Sequence, residues 1–180
     1  MIASAADVLA FWREAGEDKW FEKDTAFDDA IRTRFLETYE AAVAGRLTDW
    51  EATRETALAL VIVLDQFPRN MFRGSARTFW ADPLARGVAD RAIARGFDAE
   101  TPVAERAFFY LPFEHSEMLA DQERCCALFR TTGDADLVKW ADLHADIIRR
   151  FGRFPHRNAV LGRATTAEEQ AFLNDGGFAG

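Results

Sequence analysis

Apolar residues recur along this chain at three- and four-residue intervals, and no stretch keeps the strict apolar/polar alternation of a half-buried strand. The pattern predicts an all-α protein of about eight antiparallel-paired helices. Ser4 with Asp7 opens a first helix to about Ala15, after which Trp20 and Phe21 fall in a connector that must bury its aromatics. From about Asp24 to Ala44, Phe27, Ile31, Phe35 and Tyr39 stand at i, i+4 spacing, with Gly45 in the stop position. Thr48 and Glu51 spell a capping box for a third helix, which Pro68 should end by withholding a backbone donor. Its stretch from Ala57 to Leu64 is apolar almost all round, so this helix should be the central, most buried one. Asp82-Pro83 marks a start and Gly96 a stop, and Thr101-Pro102 opens a helix to Leu111, ahead of Pro112. Helices over Phe113 to Phe129 and Ala135 to Phe151 follow, the latter closed by Gly152, and Thr166 with Glu169 caps a short last helix ending near Asn174. Helix pairs stacked in series account for this layout, although no strict repeat period is present.

A chain of 180 residues has the length of one domain, 1–180, and can bury a core without disulfides or a structural metal. The net charge of −8 weighs against sequence-independent binding to nucleic acid or to anionic membrane surfaces. The longest uninterrupted apolar run, Ala57 to Leu64, is far short of the roughly 20 residues of a membrane span. The opening Met-Ile-Ala-Ser-Ala-Ala-Asp has no basic region and an early acid, unlike a secretory signal, so a cytoplasmic location is expected. Cys125 and Cys126 are adjacent in a helical pattern, which suits small core residues in a reducing compartment.

Charge changes this picture locally. Phe67-Pro68-Arg69-Asn70 and Phe154-Pro155-His156-Arg157-Asn158 each read as the end of a helix, and each lies in a window without a single acid. Gln66 to Trp80 and Ile147 to Arg163 carry +8 between them, which leaves −16 for the rest of the chain. Arginines past a helix C-terminus complement its dipole and bond its last carbonyls, for roughly 0.3–1 kcal/mol each. That role does not explain the exclusion of Asp and Glu from both windows. Arg69, Arg73, Arg153, His156 and Arg157 are therefore candidates for an anion site, since guanidinium forks match carboxylate and phosphate geometry. Glu114 and Asp65 are the natural partners of these cations if the arrangement is structural, and acid/base candidates if it is not.

His144 lies on the stripe Leu137, Trp140, Ala141, His144, Ile147, Ile148, Phe151, so its imidazole faces the core or a pocket floor. His115 falls on a second stripe with Met118, Gln122, Cys125 and Phe129, with Glu114 beside it. Glu114, His115, Glu117, His144 and His156 are ligands by type but lack any metal-binding spacing, and no metal site is expected. Ser4, Ser75 and Ser116 are the only serines and none stands in a nucleophile elbow, while phosphate loops and dinucleotide fingerprints are missing. Neither a catalytic residue nor a cofactor is assigned. Met71-Phe72 and Phe79-Trp80 sit between helices, where aromatics plug a core or line a cleft.

Three ordered stretches resemble a known family: Val63-Leu64-Asp65-Gln66-Phe67-Pro68-Arg69-Asn70-Met71-Phe72-Arg73-Gly74 with Phe79-Trp80-Ala81-Asp82-Pro83-Leu84-Ala85, then Leu111-Pro112-Phe113-Glu114-His115-Ser116-Glu117, then Arg153-Phe154-Pro155-His156-Arg157-Asn158 with Leu161-Gly162-Arg163. The family is the uncharacterised, mainly bacterial group called domain of unknown function 924, and the resemblance runs from Val8-Leu9-Ala10-Phe11-Trp12 to Glu168-Glu169-Gln170-Ala171-Phe172-Leu173. It implies a helical fold of the tetratricopeptide-like superhelical kind and no activity.

Two functions fit. In the first, an inter-helical pocket built from both arginine loops and the helices bearing Glu114, His115 and His144 binds a small anionic metabolite. In the second, a tetratricopeptide-like scaffold holds an acidic peptide or a C-terminal carboxylate. The chain has little spare length for a long groove, which favours the pocket.

Overall fold

The computed structural model describes residues 1–178, and among them every regular element is helical. The chain divides into two compact units: Met1–Arg73 with Arg77–Pro112, and Gly74–Ala76 with the chain from Phe113 onward.

In the first unit, α1 (Ala5–Ala15) starts at the Ser4/Asp7 capping box with both reciprocal bonds made. Trp20 ends a short helix, α2 (Glu17–Trp20), and its indole N–H donates to the Trp12 carbonyl at 2.7 Å. α3 (Thr25–Val43) begins at Asp24, which accepts from the N–H groups of Ala26 and Phe27. Trp12, Phe27, Phe35, Phe67 and Phe108 meet in the core with ring centroids 4.9 to 6.0 Å apart.

The cap expected at Thr48/Glu51 lies one turn later. Thr48 sits inside a 3-10 turn (Thr48–Ala52), where it lacks the extended backbone a cap needs. Thr53 has that backbone and forms the box with Thr56, opening α4 (Arg54–Val61). Pro68 does not end this helix either. Over Ile62–Gln66 the backbone widens into a π turn, the Phe67 N–H bonding the Ile62 carbonyl. Pro68 then enters in the first turn of α5 (Phe67–Met71), where its missing N–H goes unneeded. The run from Ala57 through Pro68 is wholly buried, in keeping with a central element. α6 (Asp82–Ala94) is followed by Gly96, as expected, and α7 (Val103–Glu114) carries Pro112 in its last turn, so the helix outlasts the proline only to Glu114.

In the second unit, the continuous helix expected over Phe113 to Phe129 is broken between Glu114 and Leu119. The Ser116 hydroxyl donates to Asp121 at 2.6 Å and accepts the Met118 N–H, a local pattern that competes with the helix ladder. The fully buried Gln122 stitches the break, its amide donating to the carbonyls of Glu114 and Ser116. α8 (Leu119–Arg130) then packs on α9 (Ala135–Phe151), which ends at Gly152 with φ of 68° and its N–H on the Ile148 carbonyl. Ile147, Ile148 and Phe154 form a local core against which Phe151, Phe172 and Phe178 pack. Phe154-Pro155 starts a 3-10 turn (Pro155–Arg157) instead of ending a helix, and α10 (Ala167–Asn174) opens at the Thr166/Glu169 capping box. Among the described residues no helix is long and apolar enough to cross a membrane.

Candidate functional site

The arginines of the first window find their carboxylates on other elements of the first unit. Arg69 forks onto Asp82 at 3.0 and 3.1 Å, lies 3.4 Å from the Asp65 carboxylate, and donates to the Asp65 carbonyl within the π turn. Arg73 pairs with Asp28 at 2.6 Å, and Asn70 donates to the same carboxylate at 2.7 Å. Arg77 pairs with Glu40 and lies 4.1 Å over the Phe72 ring. Asp28, Asp65 and Asp82 are all buried, so each pairing offsets a desolvation cost that a lone carboxylate would carry in full. The acids that balance this window thus lie outside it, on α3, the π turn and α6.

Much of the second window is arranged in the same way. Arg153 forks onto Glu169 at 2.6 and 2.8 Å, and this pairing, with the Thr166 N–H and Asn158 bonds, holds the Glu169 carboxyl down at about 2. Arg163 forks onto Glu117, which also accepts the Phe154 N–H at 2.8 Å. Burial pushes the Glu117 carboxyl up, but those bonds outweigh it and leave it below the usual range. Asn158, fully buried, donates to Glu169 and accepts from Arg163, joining the two pairs.

The remaining predicted residues of this unit form a different cluster. Arg157, buried, donates to the His115 carbonyl at 2.9 Å and lies 4.4 Å over the Phe154 ring. The same ring meets His144 and His156, each with centroids 5.6 Å away. His144 Nδ1 is 2.8 Å from the Trp140 carbonyl and 3.5 Å from the Glu114 carboxylate, and since both neighbours accept, Nδ1 carries the hydrogen. Burial pushes His144 down to about 4, against the Trp140 bond, with His115 and Arg157 adding to the effect. His156 is likewise pushed down to about 4 by burial and then by Arg157 and His144. Its Nδ1 is buried without a hydrogen bond.

The structure therefore brings together Glu114, His115, His144, His156 and Arg157. It turns Arg153 onto Glu169, and it gives Arg69 and Arg73 acidic partners in the first unit. His115 occupies the turn after α7, not a helical stripe, because the Ser116 bonds interrupt the helix there. Among the described residues no three His, Cys, Asp or Glu side chains gather as a metal site. Sequence reasoning missed Phe178, whose ring lies 4.5 Å from His144 and 5.2 Å from His156. Its one signal was a Gly176-Gly177 pair after a capped helix. Of the inter-helical aromatics in the first unit, Met71-Phe72 and Phe79-Trp80, Met71 is in the core, whereas Trp80, 68% exposed, borders a surface groove of about 360 Å³ with Tyr39, Val43 and Arg77.

The sequence model of a family described as bacterial protein of unknown function (DUF924) matches residues 8–177. The solved structure of the protein of unknown function ATU0120 from Agrobacterium tumefaciens is 48% identical, with a TM-score of 0.93 over 95% of this chain and 97% of that one. No curated protein matches the chain.

Proposed function

We propose, for a chain that belongs to the DUF924 family of bacterial proteins, that it binds a small anionic metabolite between helices of its second unit, at His115, His144, His156 and Arg157 beside Glu114. The observation that carries this reading is the buried, unbonded Nδ1 of His156 in a cluster that already holds a guanidinium and a second imidazole. An unsatisfied buried nitrogen costs roughly 1–3 kcal/mol, which a ligand oxygen would regain. Both imidazoles are neutral near pH 7, and an anion placed beside them favours their charged forms. Binding should therefore take up protons and tighten as the pH falls toward 5. The nearby carboxylates of Glu117 and Glu169 are paired with Arg163 and Arg153. The reading is of a cytoplasmic binding protein, for which two adjacent buried thiols give support.

Titration calorimetry with inorganic phosphate and with acetate, run at pH 6 in two buffers of different ionisation heat, tests this. Saturable binding with proton uptake, lost in His156→Phe, supports the proposal, and the absence of binding by both anions overturns it. A second reading, the tetratricopeptide-like scaffold for an acidic peptide, draws on the groove beside Trp80, where the Arg77 guanidinium, paired with Glu40 of the same groove, would have to exchange that carboxylate for one of the peptide. Acidic peptides that perturb the Trp80 indole and leave the histidines unmoved would favour it.

A further inference from the structure

We infer that this second-unit site takes a small aromatic acid, and that Phe178 is the chain's own occupant of the ring subsite, displaced when such a ligand binds. The inference rests on the anion reading for the polar end of the ligand and adds the apolar end.

The Phe178 ring meets His144 edge-on at 4.5 Å and an interplanar angle of 65°, and His156 at 5.2 Å and 82°. Trp140 closes a third side at 6.4 Å. Two imidazole rings thus meet one phenyl group in the edge-to-face arrangement that flat rings prefer, with Trp140 tilted at 58° beside it, a set of contacts that an aliphatic side chain does not reproduce. Trp140 is 47% exposed and Phe178 only partly buried, so the subsite opens to solvent. Phe154 meets both histidines and carries the Arg157 guanidinium over its ring, so a carboxylate attached to a ring in the Phe178 position meets the histidines first, with Phe154 and the guanidinium beyond them. A ligand with a flat ring and a carboxylate matches that order of apolar and charged surfaces.

The way Phe178 is held suits displacement. α10 ends in a reversing turn in which Gly176 has φ of 80° and the Gly177 N–H bonds the Phe172 carbonyl at 2.9 Å. A Cβ at position 177 would stand 2.5 Å from that carbonyl oxygen, so the turn requires glycine there. The ring therefore hangs on two glycines, the residues with the widest backbone freedom once the turn opens. While Phe178 sits in the subsite it competes with the ligand, and the apparent affinity falls by the fraction of molecules left open.

The test is titration of benzoate, acetate and inorganic phosphate into the unaltered chain, Phe178→Ala and Gly177→Ala, with far-UV circular dichroism to confirm that each is folded. Gly177→Ala unseats the tail and keeps the phenyl group, so it separates displacement from loss of a packing residue. The expected result is benzoate binding roughly tenfold tighter in both variants than in the unaltered chain, with benzoate preferred over acetate throughout. Equal benzoate affinity in all three proteins overturns the displacement. Acetate or phosphate binding as tightly as benzoate overturns the aromatic subsite and leaves the anion site standing, and no binding of any probe to any of the proteins overturns both.

Discussion

Replacing Arg69 by alanine removes a guanidinium that the Asp65 and Asp82 carboxylates share, and these two residues are 0% and 6% exposed. Breaking a buried pair by deleting one partner costs about 3–5 kcal/mol, because the surviving charge stays desolvated. Arg69 itself is 19% exposed, so some water reaches the gap and the lower figure, about 3 kcal/mol, applies. For a chain of this size each kcal/mol moves the melting temperature by about 2–4 °C, so Tm should fall by about 6–12 °C. The assay is thermal and urea unfolding followed by far-UV circular dichroism, where the urea midpoint should drop at unchanged slope. Asp82→Asn in the same background supplies the control: the double variant should lose clearly less than the sum of the single losses, since both changes break one interaction. A fall of less than about 2 °C for Arg69→Ala, or simple additivity with Asp82→Asn, would refute the structural role argued for this pair.

The relocated helix start predicts that Thr53→Ala costs about 0.5–2 kcal/mol in urea unfolding, while Thr48→Ala is close to neutral. Gly152→Ala keeps open space around the new methyl group but places it at φ of 68°, so it should lose about 1–2 kcal/mol through backbone strain alone, seen as a lower Tm. His144 and His156 titrate near 4 in the folded chain and near 6.5 unfolded, so the unfolded state binds more protons between those values. Stability should be complete above about pH 6.5 and decline as the pH falls toward 4, measured as the urea midpoint, with a shallower decline in His144→Gln. Burial pushes the Cys126 thiol up to about 11 and the Cys125 thiol higher still, so a thiol reagent at pH 8 should react slowly with the native chain and rapidly in urea.

How far the sequence could be read depended on whether a feature is local. Ser4, Asp24, Gly45, Gly96, Gly152 and Thr166 act through bonds within a few residues, and each punctuates a helix where its chemistry places it. Pro68 and Pro112 do not end their helices as a missing donor alone predicts, because a π turn and a helix's last turn absorb it, and whether the chain uses them depends on packing. The arginine windows stand out in sequence, and Asp65, four residues before Arg69, is a partner that helical spacing allows, but Asp82 and Asp28 lie 13 and 45 residues from the arginines they meet, and no rule of spacing predicts those pairs. His144 was legible from its stripe, whereas His156 and Phe178 lie in irregular segments where periodicity is silent. Their meeting depends on the turns at Gly152 and Gly176, which fix where α9 and α10 send the chain.

The most direct measurement of the central claim follows the imidazole nitrogens of His115, His144 and His156 by NMR as phosphate or acetate is added at pH 6. The account predicts saturable shifts at His144 and His156 together with a rise in their titration midpoints from about 4, as an anion stabilises the charged rings. Unmoved histidine signals and midpoints at saturating anion, or shifts confined to residues outside the second unit, would contradict it.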